Sequence, residues 1–126
     1  MKKILIVDDD LTFQKTMSAK LLTLNYEVLL ASDGEMGLKS ALSEKPDLIL
    51  LDIKMPKLDG MGFLKALNAN KEAGHISILI TSNLSSMDTI SQGAALGVKG
   101  YIIKSDESLD TIVREVESAL KPPVTK

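Results

Sequence analysis

The chain has 126 residues, no cysteine and 44% hydrophobic residues, which together predict one domain with a hydrophobic core and exclude disulfide scaffolds and thiol chemistry. Its formal net charge of −2 argues against nucleic acid or an anionic membrane surface as a direct partner. The apolar run Ile4–Val7 is too short for an export signal, and no run reaches the roughly 18 residues of a membrane span, so we expect a cytoplasmic protein.

Short apolar runs of strand length alternate along the chain with longer segments of helical spacing. We predict strands at Ile4–Val7, Val28–Ala31, Leu48–Leu51, Ile78–Ile80 and Tyr101–Ile103. Segments of about 12 to 25 residues separate them, which is the alternation of repeated βα units around a parallel sheet. Because these strands are apolar on both faces, the pattern predicts helix layers on both sides of the sheet.

Signals for helix ends predict five helices between and after these strands. Asp10 fits the N-cap of the first helix, and Ser32 and Glu35 have the spacing of a capping box before the second. Ser85 and Gly97 fit the two ends of the fourth helix. The last helix carries one apolar stripe, formed by Leu109, Ile112, Val113, Val116 and Leu120.

Polar residues lie directly after the predicted strands. Ligands of open α/β sheets bind at this position, beyond the carboxyl ends of the strands. Asp8 and Asp9 follow the first strand, Asp52 the third, Thr81 the fourth and Lys104 the fifth. Clustered carboxylates repel one another, and Mg²⁺ removes that repulsion while keeping coordination positions for water and phosphate oxygens. A lysine and a hydroxyl suit a phosphate, and an aspartate can attack phosphorus. The set therefore predicts a Mg²⁺-dependent phosphoryl site.

Each of these residues also has an ordinary explanation when it is taken alone. Asp8, Asp9 and Asp10 fit a helix N-terminus, where carboxylates are favoured by the exposed amides. Asp52 fits the start of a turn, Thr81 fits a turn hydroxyl, and an isolated Lys104 fits a solvated lysine. The combination of these residue types at successive strand ends is what favours the phosphoryl site.

Four segments, each at the end of a predicted strand, resemble the receiver domain of bacterial two-component response regulators. They are Val7–Asp9, Asp52–Gly60, Thr81–Ser82 and Gly97–Lys104. The resemblance covers essentially the whole chain and implies an α/β fold. In this flavodoxin-like (βα)5 fold, a doubly wound, five-stranded parallel sheet has strand order 2-1-3-4-5 and helices on both faces. We assign residues 1–121 to the receiver domain and residues 122–126 to a C-terminal tail or the start of a linker.

The resemblance implies a phosphoacceptor and a metal site. Asp52 is implied to accept the phosphoryl group from the phosphohistidine of a histidine kinase, from a phosphotransfer protein or from a small donor such as acetyl phosphate. The implied Mg²⁺ ligands are Asp8, Asp9, Asp52 and the backbone carbonyl of Lys54. Such a domain is not an enzyme acting on other substrates, because it catalyses only its own phosphorylation and dephosphorylation.

The resemblance also implies a switch that carries the signal to a partner. Thr81 and Lys104 are expected to bind the phosphoryl group, and Tyr101 to turn inward on activation. This movement repacks the face made by the fourth helix, the fifth strand and the fifth helix, to which a downstream output domain or protein binds. Lys54 and Asn83 match positions that influence the lifetime of the phosphoryl group. As an alternative, Tyr101 is an ordinary strand aromatic that never switches.

Other functions remain as alternatives. Ser105 stands where the family usually has proline after the lysine, which keeps open a degenerate receiver that binds a partner without phosphorylation. A flavodoxin-like cofactor binder shares the fold, but the acidic residues Asp8–Asp10 would repel a flavin phosphate. A phosphatase of the haloacid dehalogenase type has a second aspartate two residues after its nucleophile, where this chain has Lys54.

Overall fold

The computed structural model of the chain describes residues 2–52, 60–70, 76–82, 98–103 and 108–120, and strands and helices alternate in the described part up to residue 82. The strands are β1 (Lys3–Val7), β2 (Glu27–Ala31), β3 (Leu48–Asp52), β4 (Ser77–Ser82) and β5 (Gly100–Ile103). The described helices are α1 (Leu11–Thr23), α2 (Gly34–Glu44), α3 (Gly60–Asn68) and α4 (Leu109–Leu120). The helix predicted between Ser85 and Gly97 lies outside the described residues.

The five strands form one parallel sheet with the order β2-β1-β3-β4-β5. This confirms both the predicted parallel sheet and the strand order that the resemblance implies. Each predicted strand is present and is longer than predicted by one residue, or by three in β4; in β3 the additional residue is Asp52. The central strands are buried, which explains why their sequences are apolar on both faces.

Two hydrophobic cores lie on opposite faces of the sheet because successive side chains of a strand point to opposite sides. Leu5, Val7, Ile49 and Leu51 belong to the core under α2 and α3. Ile4, Ile6, Leu48 and Leu50 belong to the core under α1 and α4, which includes Met17, Leu21, Ile112, Val113 and Val116. Helices therefore cover both faces, as predicted. Within the described residues, no helix is long and apolar enough to cross a bilayer.

The first two helices begin at aspartate caps that lie two or three residues after the ends of the preceding strands. Asp10 caps α1 as predicted, and its carboxylate accepts a hydrogen bond of 3.1 Å from the Phe13 amide. The capping-box spacing pointed to Ser32 for α2, but the cap is Asp33, which accepts from the Met36 amide at 2.8 Å. Asp33 takes this role because its backbone is extended, with φ −150° and ψ 169°, and α2 begins at the next residue.

Candidate functional site

The carboxyl ends of β1, β3 and β4 bring four of the predicted site residues, Asp8, Asp9, Asp52 and Thr81, to one edge of the sheet. Val7 lies opposite Leu51, so the residues that follow them, Asp8 and Asp52, lie at the same level of the sheet. Asp52 lies directly opposite Thr81 in the parallel pairing of β3 and β4. Each of them comes two positions after a strand residue that belongs to the core under α1 and α4. By the alternation of strand side chains, Asp52 and Thr81 therefore point to the same face.

Three carboxylates converge at this edge. One carboxylate oxygen from each of Asp8, Asp9 and Asp52 lies within 4.8 Å of the other two. Asp8 is fully buried, Asp52 is 7% exposed and Asp9 is open to solvent. One water-facing carboxylate beside two buried ones matches the way Mg²⁺ binds proteins, through carboxylates while retaining water ligands. The residues present therefore fit a Mg²⁺ ion, which would also neutralise the repulsion among the three negative charges.

Backbone hydrogen bonds hold the loop that carries two of these carboxylates. The amide of Asp8 donates to the carbonyl of Ala31 at 3.0 Å, which joins the ends of β1 and β2. The amide of Asp10 donates to Oδ1 of Asp8 at 2.9 Å. Asp10 itself is not among the clustered carboxylates, since its side chain caps α1. The three consecutive aspartates thus divide into two site residues and one helix cap.

Gln14 is a buried polar residue of this region that the sequence analysis missed. Its side-chain Nε2 donates to the carbonyls of Asp8 and Ala31. It shares the buried side of α1 with Met17 and Leu21, at positions i, i+3 and i+7. A polar residue on an apolar helical stripe needs a hydrogen-bond partner, and this pattern could have identified it.

Thr81 places a buried hydroxyl next to the phosphoacceptor candidate. The residue is 0% exposed, and within the part of the chain that the structure describes its Oγ1 has no hydrogen-bond partner. A buried hydroxyl without a partner costs about 1 to 3 kcal/mol of stability, so it is normally found where a ligand or water completes it. This hydroxyl is therefore suited to donate to an oxygen of a group bound at Asp52.

Tyr101 lies on β5, opposite Ile80 of β4. Its ring is half-buried and packs against the core under α2 and α3. It is thus on the opposite face of the sheet from Ile102, which belongs to the core under α1 and α4. Its place beside a site strand is compatible with either a switch residue or an ordinary strand aromatic.

Several predicted site residues lie outside the described residues. They are Lys54, Asn83, Lys104 and Ser105. The metal-ligand role of the Lys54 carbonyl, the phosphate-binding role of Lys104 and the lifetime roles of Lys54 and Asn83 therefore stay predictions from the sequence.

Comparison with protein families matches residues 4–117 to the response regulator receiver domain. The chain is 37% identical over 117 residues to the probable transcriptional regulator ycf27 of Cyanophora paradoxa, which covers 91% of this chain and 48% of that protein. It is 41% identical over 103 residues to the alkaline phosphatase synthesis transcriptional regulatory protein PhoP of Bacillus subtilis, which covers 82% of this chain and 42% of that protein. The chain spans less than half the length of these two relatives.

Solved structures show the same architecture. The chemotaxis protein CheY4 of Vibrio cholerae aligns with a TM-score of 0.88 and 29% sequence identity, covering 95% of this chain and 99% of that chain. A CheY-like receiver domain protein from Methanospirillum hungatei aligns with a TM-score of 0.87 and 26% identity over 95% of this chain. These likenesses support the strand order and the helix layers described above.

Proposed function

Because this chain belongs to the family of response regulator receiver domains, we propose that it is a signalling domain controlled by phosphorylation of Asp52. The observation that carries the proposal is the cluster of Asp8, Asp9 and Asp52 carboxylates within 4.8 Å, beside the buried Thr81 hydroxyl. The acidic cluster suits a cation, the Asp52 carboxylate suits a nucleophile, and the hydroxyl suits a phosphoryl oxygen.

In the proposed reaction, a carboxylate oxygen of Asp52 attacks the phosphorus atom of a phosphohistidine. The phosphorus–nitrogen bond breaks, the histidine nitrogen leaves with the bonding electrons, and an acyl phosphate forms on Asp52. The donor is a histidine kinase or a phosphotransfer protein, and acetyl phosphate replaces it in a test tube. The domain catalyses only this transfer and the later hydrolysis of its own acyl phosphate.

The other site residues bind or orient the reacting groups. Asp8, Asp9, Asp52 and the backbone carbonyl of Lys54 hold Mg²⁺, which supplies charge neutralisation for the phosphoryl oxygens. Thr81 donates its hydroxyl hydrogen to one phosphoryl oxygen, which gives this buried group the partner it needs. Lys104 pairs with another phosphoryl oxygen as a point charge. Most of the catalysis then comes from positioning and electrostatics.

The signal reaches a partner through a change in packing on one side of the sheet. In the proposed switch, Tyr101 turns inward when Thr81 engages the phosphoryl group. Tyr101 lies opposite Ile80, the residue before Thr81 in β4. The turn of Tyr101 repacks the face made by the predicted helix between Ser85 and Gly97, by β5 and by α4. A downstream output domain or protein binds this face. Phosphorylation thus shifts the population between two packings.

The remaining predictions complete this proposal. Residues 1–121 form the receiver domain, and residues 122–126 are a tail or the start of a linker. Lys54 and Asn83 adjust the lifetime of the acyl phosphate. The domain acts in the cytoplasm, and it binds neither nucleic acid nor membrane directly.

The proposed function is tested by intact-mass measurement after incubation with acetyl phosphate, with and without Mg²⁺. We expect one phosphoryl adduct that requires Mg²⁺ and that disappears in Asp52→Asn, because the amide is not a nucleophile toward phosphorus. Asp10→Asn is the matched control, since it removes a neighbouring carboxylate that caps α1 and an asparagine caps equally well.

Two outcomes would contradict the proposal. An adduct that persists in Asp52→Asn would place the phosphoryl group on another residue. The absence of any adduct in the unchanged protein, together with no response to beryllofluoride, would favour a receiver that binds its partner without phosphorylation.

A further inference from the structure

Gln14 is a polar residue on the buried side of α1. Met17 and Leu21 lie on the same side, and only 4% of the Gln14 surface is exposed. An amide that leaves water must find hydrogen-bond partners in the protein, because its burial is otherwise unfavourable. The hydrogen-bond partners of this side chain therefore identify the part of the structure that the buried amide holds in place.

The partners of Gln14 are the backbone carbonyls at the ends of two neighbouring strands. Nε2 donates to the carbonyl of Asp8, which is the residue directly after β1. It also donates, at 2.9 Å, to the carbonyl of Ala31, which is the last residue of β2. The carbonyl of Ala31 also accepts from the Asp8 amide at 3.0 Å. Both backbone groups of Asp8 are therefore held, the amide by Ala31 and the carbonyl by Gln14.

These hydrogen bonds hold a residue whose carboxylate lies close to other negative charges. The Asp8 carboxylate lies within 4.8 Å of two other carboxylates, and mutual repulsion tends to push the loop away from the sheet. The Asp10 amide holds Oδ1 of Asp8 from the loop side at 2.9 Å. Gln14 holds the main chain of Asp8 through its carbonyl, from a helix that is anchored in the core by Met17 and Leu21.

We propose that Gln14 is a positioning residue for the cation site, which keeps Asp8 in the geometry that a divalent ion requires. The inference rests on the Mg²⁺ site of the proposed function and extends it to a side chain of α1 that the sequence motifs do not include. It implies that the affinity for Mg²⁺ depends on the two hydrogen bonds donated by Gln14, and not on the clustered carboxylates alone.

The test is an NMR titration of backbone amides with MgCl₂ in the unchanged protein and in Gln14→Met. Methionine has a similar length and fills the apolar side of α1, but it donates no hydrogen bond. We expect the dissociation constant for Mg²⁺ to rise by about 10- to 100-fold, the usual effect of losing a group that orients a metal ligand. Leu21→Val is the matched control, because it weakens the packing of the same helix side and leaves the Asp8 loop untouched.

A second readout separates positioning from general stability. A merely structural role lowers the free energy of unfolding equally with and without Mg²⁺, whereas a positioning role also reduces the increment that Mg²⁺ adds. The same readout applies to Leu21→Val, for which we expect an unchanged Mg²⁺ increment. An equal loss of affinity in both variants would overturn the inference.

The remaining outcomes are also decisive. Unchanged Mg²⁺ affinity in a folded Gln14→Met would overturn the role of Gln14 while leaving the phosphorylation of Asp52 intact. If the variant does not fold, the side-chain Nε2 protons of Gln14 in the unchanged protein provide the test, since they should shift as Mg²⁺ binds. A fixed Nε2 signal during saturation would overturn the inference, and no saturable response in any amide would overturn the metal site as well.

Discussion

Three consecutive aspartates after β1 have different environments although their side chains are identical. Asp8 is fully buried, Asp9 is exposed, and Asp10 caps α1. The difference arises because the chain turns from a strand into a helix within these residues, so each side chain leaves the backbone in a different direction. The two that belong to the carboxylate cluster are also adjacent to a third carboxylate from β3. Backbone direction therefore separates the two carboxylates of the cluster from the helix cap.

Tyr26 is a second residue whose chemistry depends on its surroundings. It lies just before β2 and packs against the core under α1 and α4. Burial raises its pKa above the usual 10.0, and the negative charge of Glu117 on α4 raises it further. The folded state therefore favours the neutral phenol more strongly than the unfolded chain does.

The pKa of Tyr26 predicts a pH dependence of stability. Its contribution is constant below pH 10.0 and is lost as the pH rises through the folded pKa, because the unfolded chain deprotonates first. We expect Glu117→Gln to lower the pKa while leaving it above 10.0, since burial is the larger cause. Tyrosinate absorbance measures this in a Tyr101→Phe background, where Tyr26 is the remaining tyrosine. Glu115→Gln is the control, and an equal change in both variants would contradict the assignment.

At the scale of elements, α2 approaches the sheet closely because Gly37 has no side chain. A Cβ at this position would lie 2.6 and 2.8 Å from the two methyl carbons of Val7 and 3.2 Å from Cε2 of Phe63. These distances are shorter than van der Waals contact, so the close approach of α2 to β1 and α3 requires glycine. Val7 immediately precedes Asp8, which places this contact beside the cluster of three carboxylates.

Gly37→Ala is therefore expected to destabilise the protein although alanine is a better helix former. The helix propensity gained is about 1 kcal/mol, while overpacking of a filled core costs roughly 1 to 3 kcal/mol and forces α2 or Val7 to move. Urea denaturation followed by circular dichroism measures the change. Lys39→Ala, on the exposed side of the same helix, is the control and should change the free energy of unfolding by less than about 0.5 kcal/mol. Higher stability in Gly37→Ala would show that α2 tolerates a wider spacing.

At the scale of the whole molecule, the two hydrophobic cores are joined through the same strands. Alternate residues of β1 contribute to opposite cores, with Leu5 and Val7 on one face and Ile4 and Ile6 on the other. If either helix layer were lost, one face of these strands would be exposed while the other layer still covered the opposite face. The sheet therefore couples the two cores, and we expect them to unfold together.

The two tyrosines provide a test of this coupling. Tyr26 packs against the core under α1 and α4, and Tyr101 packs against the core under α2 and α3. Since the chain has 2 tyrosines and no tryptophan, Tyr26→Phe and Tyr101→Phe each leave one fluorophore. We expect the urea midpoint from tyrosine fluorescence to equal the circular dichroism midpoint in each variant. A lower fluorescence midpoint in only one variant would show that one face unfolds first.

Much of the architecture could be predicted because it depends on local periodicity. Strands that are apolar on both faces, such as Leu48–Leu51, indicate a sheet buried between helices, and the apolar stripe of α4 indicates one buried helix side. The capping-box spacing alone favours Ser32 as the cap of α2, because Ser32 and Asp33 are both good capping residues. Only the backbone conformation of Asp33 and the point where α2 begins distinguish them.

By itself, the sequence determined the βα alternation, the polar residues at the strand ends and the family to which the motifs point. Tertiary structure decided which of these residues meet, as shown by Asp8, Asp9 and Asp52, and it brought Gln14 against Asp8 and Ala31. The physical reason is that residue patterns report contacts between near neighbours, whereas distances across the sheet depend on strand order, register and helix packing. These are properties of the whole folded chain.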